Sequence, residues 1–338
     1  MRVLQAACLA LVLAFAAKLP AQQKGPLKLV VTIPLPGVEG KWDHFGADVK
    51  RNRLFLASED AALVEVFDLR SNKLIHTITG FKKPHAIFVR DDLNKIFVTD
   101  GEASEIKVFD GTSYKLIGHL GLAIDADPIL YDPATKYLWV VNGGREAHTP
   151  YCLISVVGTT AGKKLADIKL NVNRLESMAL ERSGERLFVN MAASNEVGVL
   201  NRQTHALLGR WPIMYGKENV PMAFDEANHR LFVGTRTPPL IIVLDTSSGR
   251  VVASLPIALH TDDLAFDQTR QRIYAACGEG YISVYHEADP NRYQLLENVP
   301  TAPGGKTGTF VPGTNRYYAA IPKNGQKPAE VRVYNVAP

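Results

Sequence analysis

Cysteine is nearly absent: the 338-residue chain has three, Cys8, Cys152 and Cys277. None forms the Cys-x-x-Cys-His needed for covalent haem, or a Cys-x-x-Cys knuckle for a structural metal. Basic runs are equally short, with never more than two Lys or Arg in succession. The formal charge is +4, and it falls to +2 without residues 1–21, which carry Arg2 and Lys18 and no acid. That balance argues against nucleic acid as a partner, because phosphate binding needs clustered cations. No Gly-x-Ser-x-Gly or His-Glu-x-x-His occurs, so the sequence carries neither a serine-hydrolase elbow nor a zincin helix. Hydrophobic residues make up 46% of the chain, which excludes a disordered polypeptide.

Long apolar runs are missing too, with one exception. Val3 to Ala17 is apolar apart from Gln5, follows Arg2, and leads into Lys18, Leu19, Pro20 and Ala21. It is shorter than the ~20 residues a spanning helix needs. Its charged start and small-residue exit are those of a secretory signal peptide. Residues 1–21 are therefore expected to be a signal peptide, and residues 22–338 a single exported domain, periplasmic or secreted, with no membrane span.

What the chain has in quantity is a repeat. A branched or aromatic residue, an aromatic and a small apolar residue recur as Leu54-Phe55-Leu56, Ile96-Phe97-Val98, Leu138-Trp139-Val140 and Leu187-Phe188-Val189. The series continues as Leu231-Phe232-Val233, Ile273-Tyr274-Ala275 and Tyr317-Tyr318-Ala319. A second marker follows each, as in Val66-Phe67-Asp68 and Val243-Leu244-Asp245. A third short apolar run closes most units, as in Lys73-Leu74-Ile75. Asp48, Asp132, Asp225 and Asp267 precede anchor aromatics by a constant interval. They sit in turn-forming stretches, where a carboxylate caps backbone N–H groups.

Each unit of about 42 residues thus reads as four short strands, A to D, with no helix between them. Seven such units predict an all-β, seven-bladed β-propeller of four-stranded antiparallel blades. A ring of blades must close on itself. The last unit runs out after its third strand, and Leu27 to Ile33 is an unused strand, so this N-terminal strand is expected to complete blade seven. Cys152 and Cys277 then fall in blades three and six. Their separation exceeds the ~7 Å a disulfide tolerates, so both are expected free and buried.

Phe97-Val98-Thr99-Asp100 and Trp139-Val140-Val141-Asn142 resemble degenerate copies of a Tyr-Val-Thr-Asn repeat. Across roughly residues 27–337 the chain is similar to the YVTN-repeat, YncE-like family of secreted bacterial seven-bladed propellers. The resemblance implies the fold and export. Its relatives include non-catalytic binders, lactonases, redox subunits and binders of single-stranded DNA, so it leaves function open. Three other motifs lack their structural context. Trp42-Asp43 has no paired Gly-His, Gly305-Lys306-Thr307 precedes a strand instead of a helix, and Gly278-Glu279-Gly280 suits a hairpin.

Counting back twelve residues from each anchor aromatic reaches the start of strand A, nearest the ring axis. Asp43, His85, Asp127, Glu176, Val220, Asp262 and Lys306 occupy that position, followed by His44 and Asp263 among the next residues. Blade three is seven residues longer than its neighbours. The excess, Gly143 to Tyr151, carries Arg145, Glu146 and His148 toward the same face, and Arg236 and Lys323 occupy equivalent loops. Two carboxylates ~8 Å apart repel by about 2 kcal/mol at an effective dielectric near 20. Such a ring calls for a basic partner, a shared proton or a cation.

The expected ligand-binding mouth is Asp43, His44, His85, Asp127, Glu176, Asp262, Asp263, Arg145, His148 and Arg236, with His85 alone expected to bond a loop. Asp43, His85 and Asp127 are the candidates for a divalent cation, and no other cofactor is expected. The leading functional expectation is a monomeric binding module, taking a small ligand or a protein at its top face. The alternative is a hydrolase or lactonase using the acidic mouth.

Overall fold

The computed structural model describes residues 25–338. The expected signal segment, residues 1–21, lies outside the described residues. Seven sheets of four antiparallel strands form a ring, each blade running A to D from the axis outward. The A strands are Trp42–Asp48, Pro84–Arg90, Ile129–Asp132, Met178–Leu180, Lys217–Asp225, Thr261–Asp267 and Thr307–Val311. Each touches the next, and the last touches the first. Among the described residues no helix is long and apolar enough to cross a membrane.

The repeat explains this order. The three-residue anchor forms strand B, buried on both faces because its neighbours are sheets, and every anchor aromatic is at most 1% exposed. Such a strand reads as a continuous apolar run, without alternation. The anchor also joins blades. Phe188 meets Phe224 at 5.5 Å, Phe232 meets Phe266 at 5.3 Å, and Tyr274 meets Phe310 at 5.8 Å between ring centroids. Each pair sets a strand-B aromatic of one blade on strand A of the next, a contact worth about 1 kcal/mol beyond the area it buries.

The ring closes as the repeat requires. Leu27–Leu35 pairs antiparallel with Ala329–Val336, from Leu27 opposite Val336 to Leu35 opposite Ala329. This strand is two residues longer than the sequence reading. The Ala337 N–H also donates to the Pro26 carbonyl at 3.0 Å. Cys152 and Cys277 are free and buried.

The four turn aspartates cap the A–B turns. Asp48 accepts from the Arg51 N–H at 3.1 Å, Asp132 from Ala134 at 2.9 Å, Asp225 from Ala227 at 3.1 Å and Asp267 from Thr269 at 3.0 Å. All four are buried. Arginine completes three of them, through Arg53 on Asp48, Arg202 on Asp132 and Arg270 on Asp267.

Candidate functional site at the central mouth

Strand A starts at the top of each blade, beside the axis, so side chains there converge from seven directions. They border a cavity of about 260 Å³. Asp43, His85, Asp127, Glu176, Asp262 and Lys306, six of the seven residues at the counted position, line it. The seventh, Val220, lines a smaller chamber of about 40 Å³, together with His44, Asp43, Asp127, Glu176 and Asp262.

One side of the mouth is built on His44. Its Nδ1 faces Asp263 Oδ1 at 3.2 Å, and its Nε2 lies 3.4 Å from Asp43 Oδ1 and 3.6 Å from Asp127 Oδ1. Asp263 lines neither cavity; it stands behind His44 and accepts from the Gly308 N–H at 2.9 Å. His85 Nδ1 donates to Asp43 Oδ2 and lies 3.9 Å from Asp127 Oδ2. His85 therefore pairs with the ring itself, and the expected loop hydrogen bond is not what it makes. The reason is the 42-residue repeat, which sets it on strand A directly beside Asp43 of the preceding blade. Its Nε2 and the Oδ1 of Asp127 are shut off from solvent without a hydrogen-bond partner.

Burial and charge split these groups apart. Burial opposes ionisation of Asp43, but His44 and His85 outweigh it and hold the carboxyl well below its usual range. Burial, with the Asp43 charge beside it, pushes Asp127 up to about 7. Burial disfavours charge on both imidazoles. The charges of Asp43 and Asp263 nevertheless carry His44 well above its usual value, and Asp127 and Asp43 carry His85 up to about 9. Burial also raises Asp263 and Glu176.

Beside this cluster stand two cations of the mouth. Arg236 Nη2 and Lys306 Nζ both pair with Asp262, one on each carboxylate oxygen. The two cations share this one carboxylate, with the Glu176 charge also acting on Arg236 and the Asp43 charge on Lys306. Arg174 Nε pairs with Glu176 at 2.7 Å, and Lys83 Nζ with Glu59 at 2.9 Å. Arg145 lines the cavity and lies 3.6 Å from Glu146, both well exposed. His148 is exposed and lines neither cavity. The blade-three loop turns back on itself, with the His148 N–H donating to Arg145 and the Thr149 N–H to Gly144, and this turns His148 away. Lys323 pairs with Glu39, outside the ring.

Glu59, Lys83, Asp125 and Arg174 also line the mouth and were not among the sequence candidates. Lys83, Asp125 and Arg174 each stand two residues before a ring member, and alternation along an extended chain places positions i and i+2 on one side. Glu59 occupies in blade one the position Arg236 holds in blade five, four residues after the anchor aromatic. Both rows repeat with the blades and could have been counted.

No protein-family model matches the chain, and no curated protein matches it. Among solved structures, a chain of the mitotic checkpoint complex is similar with a TM-score of 0.75 at 12% identity, covering 99% of this chain and 100% of that one. Kuenenia stuttgartiensis hydrazine synthase is similar with a TM-score of 0.64 at 14% identity, covering 76% and 83%. Likeness at such identities establishes the seven-bladed propeller fold alone.

Proposed function

We propose that this protein is an exported binding module whose central mouth holds a small organic acid. The carboxylate of the ligand docks on Arg236 and Lys306. The observation that carries the reading is the pair of cations sharing the single carboxylate of Asp262 at the wall of a cavity of about 260 Å³. A carboxylate delivered there gains charge-assisted hydrogen bonds, and the neighbouring acidic, histidine-bearing cluster suits an amino or hydroxyl group on the same molecule. The volume suits a ligand no larger than an amino acid or a hydroxy-acid.

The one thiol at the mouth supplies no nucleophile, so the reading rests on the two cations at Asp262. Cys152 lines the cavity, but burial pushes its thiol up to about 11. At neutral pH it is not a nucleophile. Export is supported by the N-terminal segment, and membership of the YVTN, YncE-like group by the repeat residues.

The test is calorimetric titration of the mature protein with a panel of amino acids, hydroxy-acids and their lactones, with product analysis after each run. At least one acid should bind without turnover, and Arg236→Gln should weaken it at least about 10-fold, the ~1.4 kcal/mol of one charge-assisted bond. Hydrolysis of a lactone would move the protein to the hydrolase reading. Binding indifferent to Arg236→Gln would place the ligand elsewhere.

A further inference from the structure

The geometry points to a divalent metal site at the floor of the mouth, held by Asp43, His44 and Asp127. The ligand reading does not require it, and it does not require the ligand reading. One donor atom from each of the three residues can be chosen so that all lie within 4.8 Å of one another. Asp43 and Asp127 border both cavities, and His44 reaches them from the chamber of about 40 Å³ below. That chamber exceeds the ~15 Å³ one water needs, so an ion and a bound water both fit.

The separations discriminate between two ways of using these groups. His44 Nε2 stands 3.4 Å and 3.6 Å from its two carboxylate oxygens. These are poor lengths for an N–H donating to oxygen, which prefers about 2.9 Å. They are the lengths expected of donors sharing one ion: two bonds of about 2.1 Å at a tetrahedral angle put their donor atoms about 3.4 Å apart. Asp127 Oδ1, the more distant of the two, is buried and has no hydrogen-bond partner, so it has a lone pair to give.

The support around the donors is also that of a ligated imidazole. Asp263 takes the Nδ1 side of His44 and is itself anchored by the Gly308 N–H. This fixes the ring so that Nε2 points at the two carboxylates, the carboxylate–histidine–metal arrangement. Asp43 is anchored in the same way, its second oxygen held by His85. His85, one of the candidates on sequence grounds, is thus a support, and His44 is the donor. One imidazole among the donors disfavours Ca²⁺, which takes oxygen, and suits Zn²⁺ or Mn²⁺.

The experiment is calorimetric titration of the chelator-treated mature protein with ZnCl₂, repeated on four variants whose far-UV circular dichroism is checked first. Wild type should bind one Zn²⁺ per chain and release protons as it does. His44→Gln and Asp127→Asn should each weaken binding at least about 100-fold. Asp263→Asn, which leaves all three donors in place, should weaken it about 10-fold. His148→Gln should change nothing. Co²⁺ added to the wild type, whose folding is not in question, should give the visible absorption of a low-coordinate site. Wild type that binds no ion in stoichiometric amount would overturn the proposal. So would binding insensitive to His44→Gln, or binding lost equally in His148→Gln.

Discussion

In three blades strand A has an aspartate at each end, and the two sets of aspartates differ in everything but residue type. Asp127 and Asp132 are five residues apart, as are Asp43 and Asp48, and Asp262 and Asp267. The lower residue of each pair is buried at a turn whose own backbone N–H groups point at it, and an arginine finishes the set. The upper residue stands where the chain is arriving from the previous blade. It has no turn to cap, so its carboxylate faces the charged side chains of other blades, imidazoles for Asp43 and Asp127 and two cations for Asp262. A carboxylate's role here is set by how many local donors surround it. The lower set braces its own turns, while the upper set is where the proposed ligand site lies.

The comparison can be broken most sharply at Asp132. Its removal leaves Arg202, itself buried, without a partner. Asp132→Ala should therefore cost about 3–5 kcal/mol in urea or guanidinium unfolding, the usual penalty for orphaning a buried charge. Asp127→Asn in the upper ring should stay within about 1 kcal/mol of wild type in the same assay, because the charge it removes repels Asp43 while attracting His85 and His44, and the two effects offset. A loss at Asp127 as large as at Asp132 would make both rings structural.

A lower-face carboxylate outside the turn set refines the point. Burial, with Asp225 nearby, pushes Glu287 up to about 7, and one of its oxygens has no partner. The folded state thus holds a proton that the unfolded chain releases near its ordinary 4.5. The stability this contributes is fully present below pH about 4.5 and is lost as pH rises through about 7. Glu287→Gln should flatten that decline, by about 1–3 kcal/mol between pH 4.5 and 7.5. Unfolding curves at the two pH values would read it. A decline equally steep in the variant would contradict the assignment.

The smallest effect is expected at His148. It is exposed and outside the mouth, so His148→Gln should change neither stability nor ligand affinity by more than about 0.5 kcal/mol. A larger change in affinity would extend the site onto the blade-three loop.

The legibility of the molecule follows the same division. The blades were readable because an aromatic such as Phe97 or Trp139 must recur wherever two sheets enclose a strand. The ring at the start of strand A was readable because the repeat fixes its distance from that aromatic. What joins the ring members was not. That Asp43 meets His85, and that His44 is shared among Asp43, Asp127 and Asp263, depends on the distance between adjacent blades and on rotamers. A one-dimensional count carries neither. His148 was misplaced for a related reason: the path of an inserted loop is set by its internal hydrogen bonds, and repeat arithmetic ends where the insertion begins.

The central claim is that the upper ring binds and the lower ring holds. Thermal unfolding of wild type, Arg236→Gln and Asp132→Ala against a panel of small amino and hydroxy-acids tests both halves at once. At least one acid should raise the wild-type midpoint by mass action. The same acid should still raise that of Asp132→Ala from its lower starting point, and should leave Arg236→Gln unmoved. A panel that shifts none of the three, or shifts Arg236→Gln as far as wild type, would contradict the account.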